Sequence, residues 1–302
     1  MRRLDELDAL RLVAAICVIA LHVPAPVFDE SSHWDLVRIL SRWAVPFFFL
    51  LSGFMLPAQI GTAQFTRLAV ILIWANLLYL PLFLLRGKLG ETGPGILLTG
   101  THFHLWFLSA LMLGLGGLAL IDAMRQRRAV PDRWIDLLML AGLLLVVAAD
   151  LWNANVSGAR AREPFVLMRL LSALPCLWFG RRLRDLPLNA RHGIWALGIG
   201  IALVLIELAA MPGARARFNL QMPLGAFVMA AGLVQLGRHR ARPTFAPVLS
   251  WLARAGRHHA LTLYILHPAL LLGLEPLLAG QSPVLWLVLT GSGALAASHL
   301  LL

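Results

Sequence analysis

Apolar residues in this chain come in runs of roughly 17–22, the length a helix needs to cross ~30 Å of hydrocarbon, and short arginine-rich breaks separate them. That spacing leaves little room for a water-soluble fold. The composition agrees: of 302 residues, 59% are hydrophobic and only 14% charged, where globular domains carry about a quarter charged residues. Mean hydropathy is +0.77.

Ten runs are expected to span, over 9–27, 37–57, 66–85, 104–121, 134–151, 164–180, 193–211, 219–236, 259–278 and 284–302. Lipid offers no partner for backbone polar groups, and the runs are too long and unalternating for barrel strands, so each is expected to be helical. The predicted fold class is all-α, a polytopic membrane protein of about ten transmembrane helices forming a single integral membrane domain over 1–302. The longest expected connections, near 86–103 and 237–258, hold only about 20 residues and leave no soluble domain. No internal repeat is evident.

Arginine placement sets the expected orientation. With the N-terminus in the cytoplasm, the inner breaks hold 16 arginines, from Arg2 and Arg3 to the group Arg238, Arg240, Arg242, Arg254 and Arg257. The outer breaks hold 8 basic residues, among them Arg38, Arg42, Arg86 and Lys88. The excess predicts an inside N-terminus. Asp5, Glu6, Asp8 and Arg11 lead straight into the first apolar run, which is expected to be a retained span, not a cleaved leader.

The net charge of +11 comes almost wholly from arginine. Because these arginines sit between apolar runs, topology explains them and nucleic acid is not an expected partner. Cys17 and Cys176 fall inside apolar runs and are expected as core thiols. No Cys/His spacing suggests a metal site.

Charged and polar groups within spans carry most of the functional information, because each costs roughly 2.5–3.5 kcal/mol at mid-helix. Arg11 and His22 are eleven residues apart, three turns plus ~20°, so they share a helix face about 16.5 Å apart along the axis. Asp8 can pair with Arg11 on that face. A snorkelling arginine and a packed histidine would also account for the two residues. His104 and Trp106 open the fourth run, where interfacial anchoring competes with function. Tyr264 and His267 face one way in the ninth, and Pro268 is expected to kink the span and open a polar pocket. Glu207 lies near the outer end of the seventh run, as an interface carboxylate or a functional one.

Four stretches together resemble the acyltransferase-3 family of integral membrane acyltransferases. They are Leu7-Asp8-Ala9-Leu10-Arg11 with His22; Pro46 to Phe54; His104-Leu105-Trp106-Phe107-Leu108; and Tyr264-Ile265-Leu266-His267-Pro268. The resemblance implies ten core helices and O-acylation of extracytoplasmic sugars from cytoplasmic acyl-CoA. It further implies acetyl-CoA as the default co-substrate, no permanently bound cofactor, and a bacterial cytoplasmic (inner) membrane location. Members often carry two arginines at the cytoplasmic start of the third span; here Arg67 stands alone, so the grip on CoA phosphates is expected to be either looser or shared with Arg125 to Arg128. Some relatives also carry a fused hydrolase-like domain, which is not seen in this sequence.

On this reading His22 is the expected general base and Arg11 positions the donor. Asp8, Arg67, His104, Trp106, Glu207, Tyr264 and His267 are the expected substrate- and cofactor-binding residues. The expected partners are acyl-CoA, a sugar or glycan acceptor and the lipid bilayer. A transporter or flippase of a lipid-linked sugar is the alternative, since Arg11, His22, Glu207, His267 and Glu275 would equally line a pathway. A structural subunit whose polar residues only join helices is a third.

Overall fold

A computed structural model describes residues 4–24, 34–57, 59–85, 100–127, 130–156, 168–239 and 246–301. Among them the secondary structure is helical throughout. The helices are α1 (Asp5–His22), α2 (Trp34–Ser41), α3 (Ala44–Met55), α4 (Thr62–Leu85), α5 (Trp106–Arg127) and α6 (Asp132–Val156). They continue with α7 (Ala173–Asp185), α8 (Ala190–Ala209), α9 (Ala214–Asn219), α10 (Leu224–Arg238), α11 (Ala246–Leu278) and α12 (Pro283–Leu301). Short 3-10 turns, Phe103–Leu105 and Arg169–Ser172, precede α5 and α7.

Among the described residues, seven helical stretches are long and apolar enough to cross a membrane: Trp34–Met55, Thr62–Leu85, Trp106–Arg127, Asp132–Asn155, Ala190–Ala209, Pro247–Leu278 and Pro283–Leu301. The chain is a multi-pass membrane protein. The other three expected runs also contain helix but fall short for identifiable reasons. α1 has Asp5, Glu6, Asp8 and Arg11 in its first two turns, α7 is 13 residues long and α10 is 15. Exposure runs opposite to that of a soluble protein: Ile73, Trp74, Leu138 and Trp195 are all more than half exposed, as lipid-facing side chains are. Of the charges used for orientation, Arg2, Arg3, Arg86, Lys88, Arg128, Arg160, Arg162, Arg240 and Arg242 lie outside the described residues.

The ninth expected span begins much earlier than hydropathy indicates. α11 runs 33 residues, about 50 Å, and takes in the polar stretch Arg254–His259. Those residues read as a connection from their charge, but α11 keeps them helical because they pack on α1. Gly256 brings the two backbones together so closely that a methyl there would overlap the Asp8 carbonyl oxygen. The helix also continues through Pro268 and Pro276.

The chain divides into two compact units. The first comprises residues 1–48, 150–160 and 186–302. In it α1 lies along α11, α12 returns against α11, and Leu12, Ile19, Leu263, Trp286 and Ala294 fill the space between them. α8 and α10 meet through two glycine pairs seven residues apart, Gly193 with Gly232 and Gly200 with Gly225, the small-residue contact by which helices approach closely in lipid.

The second unit comprises residues 49–149 and 161–185. α5 packs on α7 around Leu115, Leu118, Leu177 and Trp178. Its polar residues are paired: Arg181 donates to Asp122 at 2.7 Å, and the Trp178 indole N–H donates to Asp136 at 2.7 Å. Cys17 and Cys176 are free thiols, as expected.

Candidate active site

In the first unit, α1 and α11 carry polar residues at both ends of their shared seam. At the N-terminal end of α1, Asp8 Oδ1 accepts from Arg11 Nη1 at 2.6 Å while its Oδ2 accepts from Arg257 Nη1 at 2.8 Å. Arg257 also reaches Asp5 at 3.2 Å. The expected Asp8–Arg11 pair is therefore present, and Arg257 converts it into a tie between two helices. Asp8 is buried, and a carboxylate there is stable only because it faces cations from both sides.

At the other end, His22 in the last turn of α1 meets His267 of α11. His22 Nδ1 lies 3.2 Å from His267 Nε2, with ring centroids 5.0 Å apart. Carbonyls fix the protons. His22 Nδ1 is 2.8 Å from the Val18 carbonyl, and His267 Nδ1 is 2.8 Å from the Tyr264 carbonyl. A carbonyl only accepts, so both Nδ1 atoms must be N–H donors, which assigns the tautomers from the hydrogen-bond network. Each neutral ring then carries its lone pair on Nε2. That of His267 accepts from His22 Nδ1–H, and that of His22 is the basic position of the pair.

Pro268 explains why the second lock exists. In an unbroken helix the Tyr264 carbonyl would accept from the backbone N–H of residue 268, which proline lacks. His267 supplies that donor from its side chain. The proline thus leaves an acceptor that holds the imidazole. His267 is fully buried and the Tyr264 ring centroid lies 6.2 Å from its own.

Arg38 was counted from sequence as a loop charge, but it is buried in the first unit. Its Nη2 donates to the Leu21 carbonyl at 3.0 Å, and its guanidinium stands 4.4 Å from the Phe218 ring centroid. Leu21 O is one of the last carbonyls of α1, which need outside donors, so Arg38 anchors the turn that carries His22. Arg42 is buried nearby, donating to Gln221 and to the Phe218 carbonyl. The sequence signal for both arginines was their position just inside an apolar run.

Glu207 sits elsewhere in this unit. Its two carboxylate oxygens accept from the backbone N–H groups of Leu224 at 2.7 Å and Gly225 at 3.0 Å, capping the start of α10 where orphan donors await.

Arg67, His104 and Trp106 fall in the second unit. Arg67 is exposed near the start of α4, and Trp106 is half-buried with its ring 6.4 Å from that of Phe49. His104 is buried, its Nδ1 2.8 Å from His102 Nδ1, and the Tyr79 ring lies 4.7 Å from His102 and 4.9 Å from His104. Asn76 fixes this corner by accepting from Thr101 N at 2.7 Å. Gly100 turns the chain there with φ of 81°, a conformation that favours glycine. Tyr79 and His102 were not among the expected site residues. The available signal was scarcity: the chain has 2 tyrosines, and both lie beside histidines. Arg125, expected to help hold CoA phosphates, pairs with Asp132 at 2.6 Å. Among the described residues no group of three or more His, Cys, Asp or Glu side chains is placed to hold a metal.

An all-helical, multi-pass membrane protein with an imidazole pair on two packed helices, His267 buried and His22 half-buried, is the class these features define. The family model described as an acyltransferase domain, acyltransferase-3, matches residues 4–302. The chain belongs to that family. It is also similar to an amino-acid racemase of Enterococcus faecalis, 33% identical over 121 residues, covering 36% of this chain and 17% of that protein. A serine/alanine racemase of Enterococcus gallinarum is 29% identical over 127 residues, covering 36% of this chain and 18% of that protein. The chain thus spans less than a fifth of these relatives, and the likeness carries no racemase chemistry to it. No solved structure matches the chain.

Proposed function

We propose that this protein moves an acyl group, acetyl by family default, from cytoplasmic acyl-CoA to a hydroxyl of an extracytoplasmic or lipid-linked sugar in a bacterial cytoplasmic membrane. His22 is the general base. The observation that carries this reading is the tautomer lock: Val18 O and His267 Nε2 both claim the Nδ1 proton of His22, so its lone pair lies on Nε2, the basic nitrogen of the neutral ring. His267 then acts as a positioning residue, a more specific role than the ligand contact expected from sequence.

In the reaction, the acceptor oxygen attacks the thioester carbonyl carbon as its proton passes to His22 Nε2. The C–S bond breaks, and the proton leaves with the CoA thiolate as free thiol. Charge develops on the carbonyl oxygen at the transition state, where a positioned donor contributes most. Arg11 serves the donor. Its guanidinium carries five N–H groups, and Asp8 holds it through Nη1, which leaves its other donors for the phosphates of acyl-CoA, about 16.5 Å along the helix from His22. The N-terminus lies in the cytoplasm on this reading, which puts Arg11 at the leaflet from which acyl-CoA arrives.

The test is thiol release by the protein in lipid nanodiscs with acetyl-CoA and candidate glycan acceptors, paired with mass spectrometry of surface glycans. His22→Ala should abolish both thiol release and the hydroxyl-linked mass increment while leaving the protein folded. Wild-type turnover in that variant would overturn the assignment of the base. Movement of a lipid-linked sugar without any thiol release would overturn acyl transfer itself.

A further inference from the structure

A cavity of about 730 Å³ lies between α11 and α12 in the first unit. Its basic edge is Arg254 and His258 from α11 and His299 from α12, with Trp251 beside them, and Leu295 and Ala296 line its apolar side. His259 also borders it, held by Ser298 Oγ at 2.8 Å, with the His299 ring 5.6 Å away. Among the described residues no carboxylate lines the cavity. One arginine charge beside imidazole N–H donors in a space with no described carboxylate makes an anion the natural complement.

The cavity is separate from the His22 site. Arg254 and His258 each lie two residues from Gly256, or ~200° around α11 from the point where α1 makes contact. His267 lies nine residues beyond His258, again on the opposite face. The body of α11 therefore stands between this basic edge and the reacting pair, and a thioester bound here would be turned away from His22.

Both walls belong to membrane-crossing candidates, and the basic edge falls in the first half of α11 and at the last residues of α12, where one bilayer boundary would lie. Trp251 is 54% exposed, as interfacial tryptophans are. Leu261, three residues beyond His258 on α11, and Val288, seven before Leu295 on α12, are exposed apolar side chains. A charged edge at the boundary that continues into an apolar trough fits an amphiphile.

We propose that this groove binds an anionic phospholipid, its phosphate on Arg254, His258 and His299 and an acyl chain along Leu295 and Ala296. The proposal depends on the helices spanning a bilayer and not on the acyl-transfer chemistry.

The test uses the full chain reconstituted with phosphatidylglycerol or phosphatidylcholine, scored by lipid retained in native mass spectrometry. Phosphatidylglycerol should be retained preferentially. The triple variant Arg254→Gln, His258→Gln, His299→Gln should reduce its retention about fivefold or more. Ala296→Trp, which fills the trough without touching charge, should do the same, so the result does not depend on one variant folding. His22→Ala should lose acyl transfer and keep the lipid, which separates failure of the two proposals. Equal retention of both lipids, retention unchanged in both groove variants, or displacement of lipid by added CoA would overturn the lipid site, the last by marking a nucleotide site instead.

Discussion

His267 Nε2 faces His22 Nδ1 at 3.2 Å because its own Nδ1 is held 2.8 Å from the Tyr264 carbonyl. A backbone acceptor on α11 thereby aims a second acceptor at the Nδ1–H of His22, which the Val18 carbonyl also holds. His267→Gln preserves an acceptor for His22 and a donor for the carbonyl, whereas His267→Leu preserves neither. The glutamine variant should keep transfer within about tenfold of wild type, and the leucine variant should lose on the order of 10²-fold, because the ring of the base loses its partner on α11. Initial rates of thiol release compare the two. Equal rates would show that His267 does not position the base.

Pro268→Ala separates stability from activity. Restoring a backbone N–H supplies the Tyr264 carbonyl with a competing donor and removes a residue that costs about 3 kcal/mol inside a helix. The variant should melt higher and turn over several-fold more slowly. A higher melting temperature with unchanged turnover would mean the imidazole is held by other contacts.

Gly256 and Gly273 both lie within α11, and only the first touches a neighbouring backbone: nothing lies within 4 Å of a Cβ built at Gly273. Gly256→Ala should destabilise the protein and reduce transfer together, because separating α1 from α11 also separates the imidazoles. Gly273→Ala should be neutral or slightly stabilising, given the helix propensity of alanine. Thermal melts in detergent, with thiol-release rates, would check both.

Asp8 joins Arg11 to Arg257, and its removal leaves two guanidinium groups facing each other in a poorly hydrated seam. A double-mutant cycle on Asp8→Ala and Arg257→Ala should give a coupling of about 0.5–3 kcal/mol, the range for residues in one ionic network. Additive effects would show the contact to be idle.

Arg38→Met removes a donor from the Leu21 carbonyl and the cation–π contact with Phe218 while keeping the length of the side chain. A buried acceptor left unsatisfied costs about 1–3 kcal/mol, and the loss falls on the turn bearing His22. Both stability and transfer should drop, whereas Arg67→Met, on an exposed side chain of α4, should leave stability unchanged.

The apolar runs determined by themselves that this chain is helical and membrane-embedded, because backbone groups in hydrocarbon have no other way to be satisfied. Local spacing determined that Asp8 would meet Arg11, since residues three apart on a helix are neighbours. The four motifs pointed to the family and singled out His22 and His267 one at a time. Tertiary structure alone decided which of these touch: that His267 faces His22, that Arg257 shares Asp8, that Arg38 leaves its loop reading to hold the end of α1, and that Glu207 caps α10. Each depends on which helix lies beside which. Hydropathy is silent on that choice, because lipid and a neighbouring helix are equally apolar surroundings for a leucine, and close backbone contacts such as Gly256 against Asp8 make the selection.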